Sequence, residues 1–306
     1  MVANGQLIRD SLTSSSMSAI RTITVATDFS FSAHRAARRA AALAAMHGAS
    51  LHLVHVLDSS SAKALRERAP TIDVEQPLHL DAERSLESLA EDIAAASGVS
   101  AETQLREGRV MDEILTAAAS SNLLVLGARG INPIRDLILG STAERIARMV
   151  ERPILVVKQD PQIPYDSVLV PVDFSDCSVP SLRFASELTP NAVLQVFHAV
   201  DSPLQERLRS AGVAAESIEA YCATLQTDAE AKMTELLNGL TGHKVVPSVQ
   251  ASDPRAGIGE RAAETGSTLI VMGKQSRSWL SEYVLGSVSR TVLERVPCDV
   301  AVVPHG

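Results

Sequence analysis

Short apolar runs alternate with helical patterns along the first half of the chain. Ile23–Thr27, Leu51–Val56, Val99–Leu105, Leu123–Leu126 and Ile154–Val157 read as strands by their Val, Ile and Leu content. Between them the Ala-rich stretch Ala33–His47 and the segments Asp81–Ala96, Val110–Ala119 and Thr142–Val150 read as helices. Ser30 sits where an N-cap belongs, and Gly48 is placed to stop the helix that follows.

The second half repeats this order. Its strands are expected at Ser167–Val172, Val193–His198, Lys244–Gln250, Leu269–Met272 and Val300–Val303. The repetition reaches single residues. Thr24-Val25-Ala26-Thr27-Asp28-Phe29-Ser30 returns as Leu169-Val170-Pro171-Val172-Asp173-Phe174-Ser175. Leu123-Leu124-Val125-Leu126-Gly127 returns as Leu269-Ile270-Val271-Met272-Gly273, and Gly140-Ser141 as Gly286-Ser287. A spacing of about 146 residues is too long for a solenoid and fits a duplicated domain. The join falls near Lys158–Pro164, which is polar and holds two prolines. The expected organisation is a disordered leader over residues 1–20, a first domain over 21–158 and a second over 164–304. Four- to six-residue apolar strands alternating with helices imply a parallel sheet covered on both faces.

Composition narrows the function classes. The 306 residues are long enough for two domains, and 45% are apolar with only 3% aromatic. A formal net charge of −8 argues against broad binding to nucleic-acid phosphates. Cys177, Cys222 and Cys298 form no CxxC pair, so reduced thiols in a cytoplasmic protein are expected. No apolar run approaches the length needed to span a bilayer, and residues 1–20 lack the apolar core of a secretory signal.

In open α/β sheets a ligand binds outside the carboxyl ends of the strands, where the strand order reverses. Two strand ends carry unusual residues. Asp28 follows the first strand. Gly127-Ala128-Arg129-Gly130 follows the fourth, with Gly140-Ser141-Thr142 ten residues beyond. Glycine lets backbone N–H groups approach an anion, and a helix starting near Gly140 would aim its free amides at a phosphate. Ser141 and Thr142 add hydroxyl donors. The bland reading is turn chemistry and a helix cap.

The spacing Gly127-x2-Gly130-x9-Gly140-Ser141 resembles the ATP-binding signature of the universal stress protein family. Asp28, Leu53-Val54-His55-Val56, Val196-Phe197-His198-Ala199, Gly286-Ser287-Val288-Ser289-Arg290 and Val296-Pro297-Cys298 also resemble that family, over nearly the whole chain. The resemblance implies two tandem five-stranded domains of the adenine nucleotide alpha-hydrolase-like type, each with strand order 3-2-1-4-5, packed as an intrachain pseudo-dimer through their fifth strands. It implies adenine and ribose near Ala26, Thr27 and Asp28. Phosphates would lie near Gly127, Arg129, Gly130, Gly140, Ser141 and Thr142, with ATP, ADP or AMP as ligand and Mg²⁺ beside the phosphates. In the second copy the matching positions are Pro171, Asp173, Gly273, Ser276, Gly286, Ser287 and Val288. Ser276 stands where the second glycine belongs. If that position needs positive φ, serine costs about 1 kcal/mol. Lys274 and Arg277 could offset this electrostatically, and occupancy of the second site stays open.

His55 and His198 occupy equivalent positions and are read as locally hydrogen-bonded, since no second ligand lies at metal spacing. Arg129 could touch a phosphate or be a solvated loop charge. Cys177 lies near a helix start that could lower its pKa and suit a redox sensor, although packing is the plainer reading. Trp279 and Tyr283 are expected to pack on a domain surface. The expected function is nucleotide-dependent stress signalling or protection rather than dedicated catalysis. The rivals are a slow ATPase or adenylating enzyme and a nucleotide-free interaction module. Further dimerisation of the whole chain is open.

Overall fold

A computed structural model describes residues 20–59, 75–128, 140–200, 208–238, 240, 242–274 and 285–304. In chain order the elements are β1 (Thr22–Ala26), α1 (Phe31–His47), β2 (Ser50–Asp58), α2 (Glu75–Ser97), β3 (Ala101–Gly108), α3 (Val110–Ala118), β4 (Leu123–Gly127), α4 (Ser141–Met149) and β5 (Ile154–Val157). The second copy supplies β6 (Ser167–Pro171), α5 (Ser178–Leu188), β7 (Val193–Val200), α6 (Ala215–Leu237), β8 (Lys244–Ala251), α7 (Pro254–Glu264), β9 (Leu269–Gly273), α8 (Ser287–Arg295) and β10 (Asp299–Val303).

The ten described strands form one sheet in the order β3-β2-β1-β4-β5-β10-β9-β6-β7-β8. Each half therefore has the 3-2-1-4-5 order, and the fold is the two tandem α/β halves expected from sequence. Within each half the neighbours run parallel. At the centre β5 and β10 run antiparallel, with Leu155 opposite Ala301. Those residues are themselves counterparts in the repeat, so a pseudo-twofold axis passes between them. The apolar fifth strands cover each other, which removes two exposed edges.

Strand alternation sorts the core into two layers. Val25, Leu123, Leu155, Ala301 and Val271 face the layer built with α1, α2, α5 and α6. Leu124, Ile154, Val300 and Ile270 face the layer built with α3, α4, α7 and α8. Both layers run through both copies, so the halves share their cores.

The join is pinned in place. The backbone amides of Lys158 and Gln159 donate to Asp299 Oδ1 at 2.7 and 2.8 Å. Tyr165 donates its hydroxyl to Asp299 Oδ2 at 2.5 Å. Arg39 of α1 donates to the carbonyls of Ile163 and Asp160, each at 2.8 Å. Across the axis Lys158 Nζ donates to the Val296 carbonyl at 2.8 Å, and Lys274 Nζ to the Val150 carbonyl at 3.1 Å. Val150 and Val296 are the equivalent C-caps of α4 and α8, where a cation is favourable.

Candidate functional site

Each first strand ends in the same turn. Asp28 Oδ1 accepts the Ser30 amide at 3.0 Å, and Asp173 Oδ1 accepts the Ser175 amide at 3.1 Å. Asp173 Oδ1 also takes the hydroxyls of Ser175 and Ser178, at 2.5 and 3.3 Å. The phenylalanine between the hydrogen-bonded residues is left-handed in both copies, with φ of 60° at Phe29 and 59° at Phe174. A non-glycine residue there costs about 1 kcal/mol or more and persists where its surroundings hold it. A histidine does so here. The rings of Phe29 and His55 lie 4.4 Å apart, and those of Phe174 and His198 4.3 Å apart. Each histidine Nδ1 lies 2.8 Å from a carbonyl of the same turn, that of Thr27 or Val172. The local hydrogen bonding expected for the histidines is present. The strained aromatic beside each lies outside what the sequence reading singles out.

In the second copy the strand ends open onto a cleft of about 870 Å³. Pro171, Asp173, Gly273, Gly286, Ser287 and Val288, all expected at the site, line it together. Sequence reasoning did not single out Phe174, Lys232, Asp253 and Arg255, which line it too. The helix α8 begins at the cleft with Gly286 as N-cap and no side chain capping it. Burial holds His198 below its ordinary 6.5, against the pull of its bond to Val172 and the charge of Asp173. Its Nδ1 therefore carries the proton donated to Val172, and the ring is neutral at physiological pH.

The first copy has the same frame. Ala26 pairs with Leu126, which sets Thr27 and Asp28 beside Gly127 and Ala128 at the carboxyl ends of β1 and β4. The Gly140 amide donates to the Ala128 carbonyl at 2.9 Å and joins the two ends of the glycine loop. Gly140 N-caps α4 without a side-chain bond, as Gly286 does for α8, and Thr142 is exposed in its first turn. Arg129, Gly130 and Ser276 lie outside the described residues, as do the side chain of Ser141 and the whole of Arg277, Trp279 and Tyr283. The cleft among the described residues thus belongs to the second copy, whereas the sequence drew attention to the first.

Other expectations change. Gly127 and Gly273 are demanded by helix packing. A Cβ on Gly127 would stand 2.7 Å from the Ser32 backbone carbon, and one on Gly273 2.5 Å from Cys177 Cβ. Lys274 does not face a phosphate site, because its ammonium caps α4 of the other copy. Burial lowers its pKa, with Glu151 acting in the opposite direction. Cys177 is not activated by its helix. Burial raises its pKa, and the carboxylates of Asp173 and Asp176 add to the effect.

The sequence profile of the universal stress protein family matches residues 19–158 and again 164–304. A universal stress protein of Mycolicibacterium smegmatis is 26% identical over 298 residues, covering 92% of this chain and 96% of its own. A universal stress protein of Thermus aquaticus is 31% identical over 140 residues, 45% of this chain and 98% of its own. The crystal structure of a universal stress protein from Archaeoglobus fulgidus superposes with a TM-score of 0.66 at 21% identity, covering 93% of this chain and 98% of that one. At that identity the likeness speaks for the fold. No helix among the described residues is long and apolar enough to cross a membrane.

Proposed function

The chain belongs to the universal stress protein family, and from that premise we propose that it binds an adenine nucleotide at the mouth of each half-sheet and uses it as a signal. The observation that carries the reading is the second cleft. Asp173 stands on one wall, the uncapped start of α8 on another, and the volume suits a ligand of nucleotide size. Free amides at a helix start and the positive end of its dipole favour a phosphate. Asp173 Oδ1 is occupied by the turn, which leaves Oδ2 to accept from a ribose hydroxyl or the adenine amino group. Asp28 holds the corresponding place in the first copy.

ATP is the preferred ligand in this reading, and Mg²⁺ enters with its phosphates, as that ion commonly does. Lys274, next to Gly273 of the cleft lining, touches the other copy. The nucleotide then changes the surface a partner reads. Phosphoryl transfer would require a group that positions water or takes a proton, a role this reading gives to none of the lining residues.

Mass spectrometry of small molecules released from purified protein tests the proposal. Stoichiometric ATP, ADP or AMP is expected. A stripped protein that takes up none of them when they are added back would overturn it. Steady phosphate release from ATP, lost in Asp28→Ala and Asp173→Ala, would convert the reading to a slow ATPase.

A further inference from the structure

The second cleft carries a guanidinium from the start of α7. Arg255 is the second residue of α7, and the second residue of the counterpart helix α3 is Met111. The Arg255 amide is held by Asp253 Oδ1 at 2.7 Å, so the start of α7 is fixed. Its guanidinium crosses to the neighbouring helix, with Nη2 3.4 Å from Ser287 Oγ at the first position of α8. Asp253, Arg255, Gly286 and Ser287 all line the cleft.

This placement is electrostatically unusual. The first turn of α8 holds no acidic residue, and no side chain caps it. A cation beside the positive end of an uncapped helix is repelled by it. Among the described residues no carboxylate forms an ion pair with Arg255 that would relieve the repulsion. In the first copy the counterpart helix α3 has Met111 at that position and its arginine, Arg109, at the N-cap beside Asp112, and α4 carries Glu144 in its first turn. An anion between the Arg255 fork and the α8 amides would turn two repelling positive centres into two attractive contacts, and a phosphate oxygen pair suits the guanidinium fork.

We propose that Arg255 is an anion-binding residue particular to the second cleft, where its guanidinium clamps a phosphate of the bound nucleotide against the start of α8. The inference rests on the nucleotide reading above and adds a difference between the copies. The second cleft gains its affinity from phosphate, and adenosine alone gains nothing from Arg255. The sequence is consistent with such a division, since this copy has Ser276 in place of a loop glycine and adds an arginine from a packed helix.

The test uses the full chain, stripped of ligand, with ATP and adenosine as probes. Hydrogen exchange read by mass spectrometry reports separately on residues 287–295 and 141–149. In Arg255→Met, which installs the first copy's residue, protection of 287–295 should need about tenfold more ATP or higher. The first-copy peptide should respond as in the wild type, and adenosine should act equally on both proteins. Arg255→Lys, which keeps the charge without the fork, should fall between. Arg255 is exposed, so an unchanged melting temperature is expected. Unchanged ATP dependence in Arg255→Met would overturn the inference and leave the nucleotide reading standing, and so would an equal loss for adenosine. If ATP protects neither helix of the wild type, the reading and the inference fall together.

Discussion

Arg39 and Asp299 meet inside the protein from opposite copies, with Arg39 Nε 3.3 Å from Asp299 Oδ2 and only 4% and 0% of their side chains exposed. The guanidinium also lies over the Tyr165 ring at 4.3 Å. The repeat places Phe184 and Pro153 at the corresponding positions, so the pair has no mirror image across the pseudo-twofold axis. It ties α1, the join and β10 into one polar knot, and it makes the two halves of the sheet non-interchangeable. Burial and the Asp299 charge push the Tyr165 hydroxyl well above its ordinary 10.0.

Removing one partner leaves a charge buried without its counterpart. Arg39→Met should therefore lower stability by about 3–5 kcal/mol in urea unfolding. Asp299→Leu also strands the amides of Lys158 and Gln159 and the Tyr165 hydroxyl and is costly alone, but added to Arg39→Met it should cost less than it does by itself, because no ion pair is left to break. A double-variant loss equal to the sum of the two single losses would show that the pair is not coupled.

The two packing glycines give a second test. Gly127→Ala and Gly273→Ala each place a Cβ under 3.0 Å from the start of the helix after the neighbouring first strand, at Ser32 of α1 and at Cys177, the N-cap of α5, and each should cost about 1–3 kcal/mol. Cys177→Ala should not rescue Gly273→Ala, since the Cβ it meets remains. A thermal melt unchanged by either glycine substitution would mean that α1 and α5 move freely away from the sheet.

Much of the fold is legible in the sequence, and the gaps have physical causes. Ile154–Val157 is a strand at its predicted bounds because it is apolar on both faces. The Ser30 cap and the left-handed Gly48 stand where expected. The third strand lies two to three residues beyond its expected bounds. It is Ala-Glu-Thr-Gln-Leu-Arg-Glu-Gly at the sheet edge, where polar residues leave no apolar run to read. The helix α2 reaches back to Glu75, past the expected Asp81, with Pro77 near the N-terminal end of its described residues. Left-handed Phe29 and Phe174 carry no turn-residue signal, and their repetition beside a repeated histidine is the available clue. Arg39 and Asp299 lie too far apart in the chain for any local pattern to pair them. Arg255 is visible from sequence only as a charge at a helix start, and the neighbouring helix gives it meaning.

The depressed pKa of His198 sets a direction for pH dependence. The unfolded chain takes up the proton more readily than the folded one, so this contribution to stability is full above about 6.5 and is lost as pH falls toward the folded value. The stability of the wild type relative to His198→Gln should therefore shrink between about pH 8 and pH 5. Parallel melting curves across that range would contradict the assignment.

The thiols should react in order of access and acidity. Burial pushes Cys298 up to about 11 and raises Cys177, while Cys222 is half-exposed. Iodoacetamide at neutral pH should mark Cys222 first, as read by peptide mass spectrometry. Faster labelling of Cys177 would restore the redox-sensor reading.

Calorimetric titration of ligand-free full-length protein with Mg-ATP tests the central claim most directly. Saturable binding, weakened by Asp173→Ala and again by Asp28→Ala, is the predicted result. A flat titration of folded protein at millimolar ATP would contradict it and leave the doubled fold without a nucleotide.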